Sequence, residues 1–418
     1  MRSFGQAVIG DAGVFERLIG ELLTRRGSLW VFGEGLAEGS QDLQATWNYL
    51  RSHVAATPRE KLNTHLLCGF LAAARRINPD LANHFLEDAV DDDVVGFWYP
   101  ALEASVNIDA SGAKRLMRTL SIGKAPIHMY GAMKYGGVTK SIPPHALKDL
   151  VLVIAAKPKG FSVAIEILNM RLHGEREDPP QEIREAGWGL LERLQFTATD
   201  QHEDYDLAEI TRACLKGDEG AALVSELCRK LKRAIFEHHT HLVYYDDFLS
   251  ALFSIQTKAA LDAMYGGDEI ELEREFHFIE NTFRIKKLFG AMRGSDLLAW
   301  CDEKPASRYP LLAGAVAIST NDGGTGEREW SPIALRLLER APDRVEVLKR
   351  LVRQIESSGG WGSHVAIVEA NAKLLNKLEQ YPDLTAFVIE EKVRLAQYVE
   401  RGRQSEAASD RKTSDCFE

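Results

Sequence analysis

The sequence predicts an all-α protein, a HEAT-like α-solenoid of stacked helical hairpins, and three observations carry that expectation. Helix-start signals recur from Thr57 to Lys159 at intervals of 14 to 21 residues, the length of a short helix plus a tight turn. Two such units make a hairpin close to the ~34 to 47 residues of stacking helical repeats. Between the starts, apolar residues fall at three- and four-residue steps, which line one face of a helix. A chain of 418 residues also exceeds what one compact core accommodates, and the periodic starts favour an elongated array over separate globular domains.

Taken in order, the first helix is expected over residues 11–26, with Phe15, Leu18, Ile19 and Leu22 on one face and Gly27 ending it. Residues 29–37 form a short apolar piece whose Gly33 and Gly35 either allow close helix contact or break the helix. Ser40 reads as the cap of a helix over 42–55 with Leu43, Trp47, Leu50 and Val54 as its stripe. Thr57 reads as a cap, Pro58 as the first helical residue and Glu60 as the return arm of a capping box, opening a helix with Leu62, Leu66, Phe70 and Ala73 inward. Asn78-Pro79 repeats the device ahead of Leu81, Phe85 and Val90.

The acidic run Asp91-Asp92-Asp93 reads as a helix start, where carboxylates satisfy orphan N–H groups and favour the macrodipole, rather than as a metal cluster. Phe97-Trp98-Tyr99 and Met129-Tyr130 read as core. Asp109, Ala125 before Pro126, Ile142 before Pro143, and Lys159 mark further starts. The β-branched 151–156 run suggests a strand, but Leu147, Leu150, Val151 and Ile154 at helical spacing favour a buried helix, with 161–173 as its partner.

The charged 173–181 loop with Pro179-Pro180 is the expected boundary between an N-terminal helical block, 1–176, and a C-terminal block, 177–402. Helices are expected over 182–194, 206–216, 218–236, 248–265 and 272–292, then over 295–300, 308–318, 332–339 and 345–355. Ser363 caps a helix with Ile367, Ala370, Leu374 and Leu378 facing the stack, and Pro382 opens the last helix, to about residue 401. The polar 403–418 segment has little to bury and is expected to be a disordered charged tail.

Composition narrows the function classes. Hydrophobic content of 45% with 27% charged residues is that of a folded soluble chain, and no apolar run approaches the ~18 residues of a membrane span. The N-terminus lacks the apolar core and cleavage pattern of a secretory signal, so a cytoplasmic setting without membrane contact is expected. Five cysteines are scattered without a C-x-x-C pair; four sit in helical patterns as small hydrophobes, and Cys416 lies in the tail. A net charge of −10 disfavours non-specific attraction to nucleic acid or anionic lipid.

One dense group of ligand-type residues stands out: Glu237-His238-His239-Thr240-His241, followed by Asp246 and Asp247. Imidazole nitrogen and carboxylate oxygen suit zinc or another divalent metal, so His238, His239, His241, Asp246 and Asp247 are the candidate metal ligands. Their spacing matches neither H-E-x-x-H nor a Cys/His finger, and histidines at a helix C-terminus also favour the dipole. Two basic groups, Arg229, Lys230, Lys232 and Arg233, then Arg284, Lys286 and Lys287, are the candidate nucleic-acid contacts, with a solvated helix face as the plainer reading. No P-loop or G-x-S-x-G elbow occurs, and no cofactor is expected.

Leu297-Leu298-Ala299-Trp300-Cys301 with Pro305 and Arg308, Trp330-Ser331-Pro332, and Ser358-Gly359-Gly360-Trp361-Gly362-Ser363 carry a resemblance. Together with the 32–39 glycine-rich segment and the closing residues, they resemble the helical C-terminal regions of large bacterial STAND-type NTPases and related phage-defence sensors. The resemblance implies an array that recognises a partner while a separate NTPase or effector component acts. The expected function is therefore a non-enzymatic protein-binding scaffold or sensor; the alternatives are a metal-dependent hydrolase using the histidine cluster and a nucleic-acid-binding helical repeat.

Overall fold

The computed structural model describes residues 1–196, 203–238, 242–266, 289–290, 292–321, 328–356 and 363–415. They are overwhelmingly helical, and among them only Ser319–Asn321 and Arg328–Trp330 form strands, paired antiparallel with Ser319 opposite Trp330. Among the described residues no helix is long and apolar enough to cross a membrane. The chain divides into two compact units, Met1–Leu223 and Val224–Glu418. The division falls inside the Gly220–His238 helix, not at the Pro179-Pro180 loop expected to separate residues 1–176 from 177–402.

In the first unit, most starts do what their sequence dictates. Asp11, Asp42, Asn78 and Asp109 each accept a backbone N–H at the first turn of the helix they precede; Asp42 is the cap in place of the expected Ser40, whose hydroxyl meets that of Thr46 at 2.7 Å. Thr57 does not: its hydroxyl donates back to the His53 carbonyl at 2.7 Å, closing the Leu43–Ala56 helix. The next α-helix, His65–Ile77, starts later than Pro58 suggests and leaves Leu62 outside it, because residues 59–61 make only a 3₁₀ turn. The Asp91-Asp92-Asp93 run ends a helix rather than starting one. Asp92 Oδ1 accepts from the Val94 and Val95 amides, a local turn that competes with helix continuation.

The expected helix after Pro126 is a 3₁₀ segment, Ile127–Lys134, whereas Leu147, Leu150, Val151 and Ile154 are all buried in Pro144–Ala155 as their spacing requires. Trp98, Tyr99 and Tyr130 are core residues; Phe97 is half-buried beneath the Arg59 guanidinium. Trp30–Gly39 is one unbroken helix, and its glycines serve close contact: a Cβ on Gly33 would lie 2.1 Å from the Leu66 carbonyl oxygen. One on Gly35 would lie 2.1 Å from the Arg2 carbonyl oxygen, on the helix Arg2–Ile9.

Packing follows a regular scheme in this unit. Pro144–Ala155 touches Ala110–Ile122 before it and both Gly160–Leu172 and Gln181–Glu192 after it, and Gly160–Leu172 touches Gln181–Glu192 and Asp204–Cys214. Polar side chains tie residues 32 to 37 positions apart: Lys134 to Glu166 at 2.7 Å, Lys148 to Glu185 at 2.8 Å, and Asn169 to Asp206 at 2.6 Å.

In the second unit, too, helices pack on their near neighbours in the chain. Thr257–Tyr265 packs on Gly294–Glu303, that helix on Pro305–Ala315, and Pro305–Ala315 on both Pro332–Arg340 and Arg344–Glu356. Indole N–H groups bridge residues 38 and 44 positions apart here, Trp300 Nε1 to Asp262 Oδ1 at 2.8 Å and Trp330 Nε1 to the Leu374 carbonyl at 2.8 Å. The single helix expected over 248–265 is broken at Gln256 into Asp246–Ile255 and Thr257–Tyr265. The expected 272–292 helix lies outside the described residues except for 289–290 and 292, as does Trp361.

In His364–Ala372 the buried residues are Val365, Val368 and Asn371, not Ile367 and Ala370; the stripe resumes with Leu374 and Leu378 in the following 3₁₀ turns. The last helix runs Thr385–Asp415, so the segment expected to be a disordered tail from 403 is helical as far as 415. Continuing a helix that is already docked needs no new nucleus, and its polar end gains partners. Arg403 donates to Glu369 at 2.6 Å, and the Ser363 hydroxyl donates to Glu406 at 2.8 Å.

Candidate functional site: a cleft with two arginines

The residues singled out as metal ligands are not assembled into a site among the described residues. His238 is the last residue of Gly220–His238, and His239 and His241 lie outside the described residues. Asp246 and Asp247 form the first turn of Asp246–Ile255, where carboxylates favour the dipole. Among the described residues no three His, Cys, Asp or Glu side chains come together to hold an ion. Of the basic residues, Arg229 and Arg233 are exposed, Lys230 and Lys232 are half-buried, and Lys230 pairs with Glu226 at 3.0 Å one turn before it. The opposite face, Leu223, Leu227, Leu231 and Ile235, is buried as the four-residue spacing predicts. Arg284, Lys286 and Lys287 lie outside the described residues.

The first unit instead holds an open cleft of about 570 Å³, within the size range of ligand sites. Its charged walls come from three helices. Arg75 and Arg76 close the last turn of His65–Ile77, where cations complement the carbonyl end of the dipole. Glu34 comes from Trp30–Gly39, which the glycine contacts draw against His65–Ile77, and Asp109 is the cap of Ala110–Ile122.

The two arginines diverge. Arg75 Nη2 reaches Asp109 Oδ2 at 3.1 Å, while Arg76 Nη1 reaches Glu34 Oε1 at 3.1 Å and its Nη2 reaches Glu38 at 3.4 Å. Arg75 Nη1 also donates to the Pro79 carbonyl at 3.3 Å, so each guanidinium is divided between two acceptors. The buried Arg115, by comparison, grips Glu103 through Nε at 2.9 Å and Nη2 at 2.8 Å, a two-point fork.

Each cleft carboxylate has further donors. Glu34, whose side chain is 9% exposed, also accepts from Arg2, and Asp109 accepts from the Ser111 and Gly112 amides at 2.9 Å. Burial pushes the Glu34 carboxyl up, but Arg2 and Arg76 outweigh it and hold the group below the usual carboxylate range. Burial also opposes ionisation of Asp109, and the two amides with Arg75 outweigh it. Both carboxylates therefore stay charged at neutral pH.

A half-buried indole, Trp30, and the buried Val106 add apolar surface, and Asn107 and Ser141 stand exposed at the rim. Of these cleft residues the sequence singles out Asp109 alone, and only as a helix start. The one local sign is the adjacent Arg75-Arg76 pair at a helix end, which by itself reads as dipole compensation. Neither a protein-family model, nor a curated protein, nor a solved structure matches this chain.

Proposed function

We propose that the chain is a HEAT-like helical array that acts as a non-enzymatic protein-binding scaffold or sensor. The observation that supports this reading best is the spacing of its cross-links. Side chains join residues 32 to 44 positions apart, from Lys134–Glu166 to Trp330–Leu374, which is one hairpin to the next. Stacks built this way form extended surfaces suited to gripping other proteins. The resemblance to defence-sensor helical regions extends the reading to a bacterial cytoplasmic setting, with an NTPase or effector as a separate component.

Affinity capture of the tagged full chain from its host, with and without phage challenge and with elemental analysis of the same sample, tests the proposal. A protein partner recovered at stoichiometric level supports it. Stoichiometric zinc or manganese with no partner would sink it in favour of a metal-dependent enzyme.

A further inference from the structure

We propose that the Arg75–Arg76 cleft is a docking site for a short acidic peptide segment in which carboxylate side chains neighbour an apolar residue. The inference rests on the binding-scaffold reading and names the surface that does the binding.

Three features of the cleft point to this ligand. First, its arginines can be released at low cost. A ligand carboxylate that takes Arg76 leaves the buried Glu34 still paired with Arg2, and one that takes Arg75 leaves Asp109 on its two backbone amides. No buried charge is orphaned, which is the penalty that ordinarily forbids breaking such a pair. Arg115 offers the contrast: it is 7% exposed and it alone faces the 1% exposed Glu103 with a guanidinium, so its removal would strand a buried carboxylate.

Second, the guanidiniums are accessible, with side chains 26% exposed for Arg75 and 53% for Arg76. Arg75 is divided between Asp109 and the Pro79 carbonyl and Arg76 between Glu34 and Glu38, so neither grips one carboxylate at two points, the geometry at which arginine excels and which a ligand carboxylate would offer. Third, Trp30 and Val106 line the same cleft, so an apolar side chain next to the acids has a surface to cover. The rim amide of Asn107 and hydroxyl of Ser141 are placed for the ligand's own peptide groups. The molecule's charge of −10 repels acidic ligands at long range, so recognition here depends on close, desolvated contact rather than steering.

Selection of a random peptide library on the purified full chain tests the proposal. The expected result is a consensus rich in Asp and Glu beside a large apolar residue. Its affinity should fall about tenfold or more in Arg75→Gln and in Arg76→Gln, the loss of one charge-assisted contact. Ser141→Asp, an exposed substitution that leaves every cleft ion pair intact, should weaken the same peptide and controls for misfolding of the arginine variants. Replacing the peptide's glutamates by glutamines should abolish binding. A consensus without acids, binders indifferent to all three variants, no binders at all, or inorganic phosphate displacing the peptide at equal strength would each overturn it. A partner captured by the whole chain but unaffected by these variants would leave the scaffold reading standing and remove only this site.

Discussion

Gly69 and Trp30 meet backbone to backbone: a Cβ placed on Gly69 would lie 2.0 Å from the Trp30 carbonyl oxygen. No rotamer can relieve such a contact, so the helices His65–Ile77 and Trp30–Gly39 must separate to admit any side chain. Gly69→Ala should therefore cost at least about 2 kcal/mol, the range of core overpacking. Gly20→Ala, on a helix position with nothing within 4 Å, should instead stabilise by up to ~1 kcal/mol. Urea denaturation of both variants checks the contrast; equal effects would refute the close-contact account.

The buried Arg115–Glu103 fork, with the Tyr99 hydroxyl donating to the same carboxylate, predicts a strong asymmetry between single and double changes. Arg115→Met or Glu103→Gln alone strands a buried polar group or charge and should cost about 3 to 5 kcal/mol. The double variant should recover a large part of that loss. A double-mutant cycle in denaturant, giving additive losses, would contradict the pairing.

Glu34 sets an acid limit on the first unit. Its carboxyl is held below its usual value in the fold, so the stability it contributes is present above the unfolded-state value, ~4.3, and is lost as pH falls through the lower, folded value. The melting temperature of Glu34→Gln should approach that of the wild type under acid and fall behind it near neutrality. A constant difference across pH would show that the ion pairs with Arg2 and Arg76 contribute nothing.

Asp206 acts with the opposite sign. Burial, then the nearby Glu166 carboxylate, raise its carboxyl above the usual value. The folded state therefore holds the proton longer, and stability declines as pH rises from the unfolded toward the folded value. Asp206→Asn keeps a partner for Asn169 and removes the charge, so it should stabilise the protein at pH 7 and flatten that decline. Thermal melts across pH 3 to 8 would reveal the difference, and a destabilised variant at pH 7 would contradict it.

Cys68, Cys214, Cys228 and Cys301 are buried thiols pushed up to about 12 by desolvation. In a Cys416→Ser background, a thiol reagent at pH 8 should react only as fast as the protein unfolds. Rapid labelling in the native state would expose a reactive cysteine that the fold does not account for.

Residues that act on their near neighbours were legible in the sequence. Asp109 and Asn78 cap because a carboxylate or amide oxygen can reach the following amides, and Leu223, Leu227, Leu231 and Ile235 are buried because four-residue steps align them on one face. The same locality misled at Thr57, whose hydroxyl has two backbone partners in reach and chose the helix behind it. It misled again at His364–Ala372, where Val365, Val368, Asn371 and Ile367, Ala370 offer two faces of similar apolarity and the neighbouring helices decide which is buried.

The sequence by itself thus determined the overwhelmingly helical character of the described residues, most of their helix starts and the buried side of most amphipathic helices, because these depend on periodicity and on hydrogen bonds a few residues long. Only the tertiary structure decided that Gly33, Gly35 and Gly69 are contact surfaces and that the helix begun at Thr385 continues to Asp415. It alone brought Arg75 and Arg76 between Glu34 and Asp109, charges separated by 34 to 42 positions in the chain. Pairing at that range depends on which helices come to lie side by side, a property of packed backbones that no local pattern encodes.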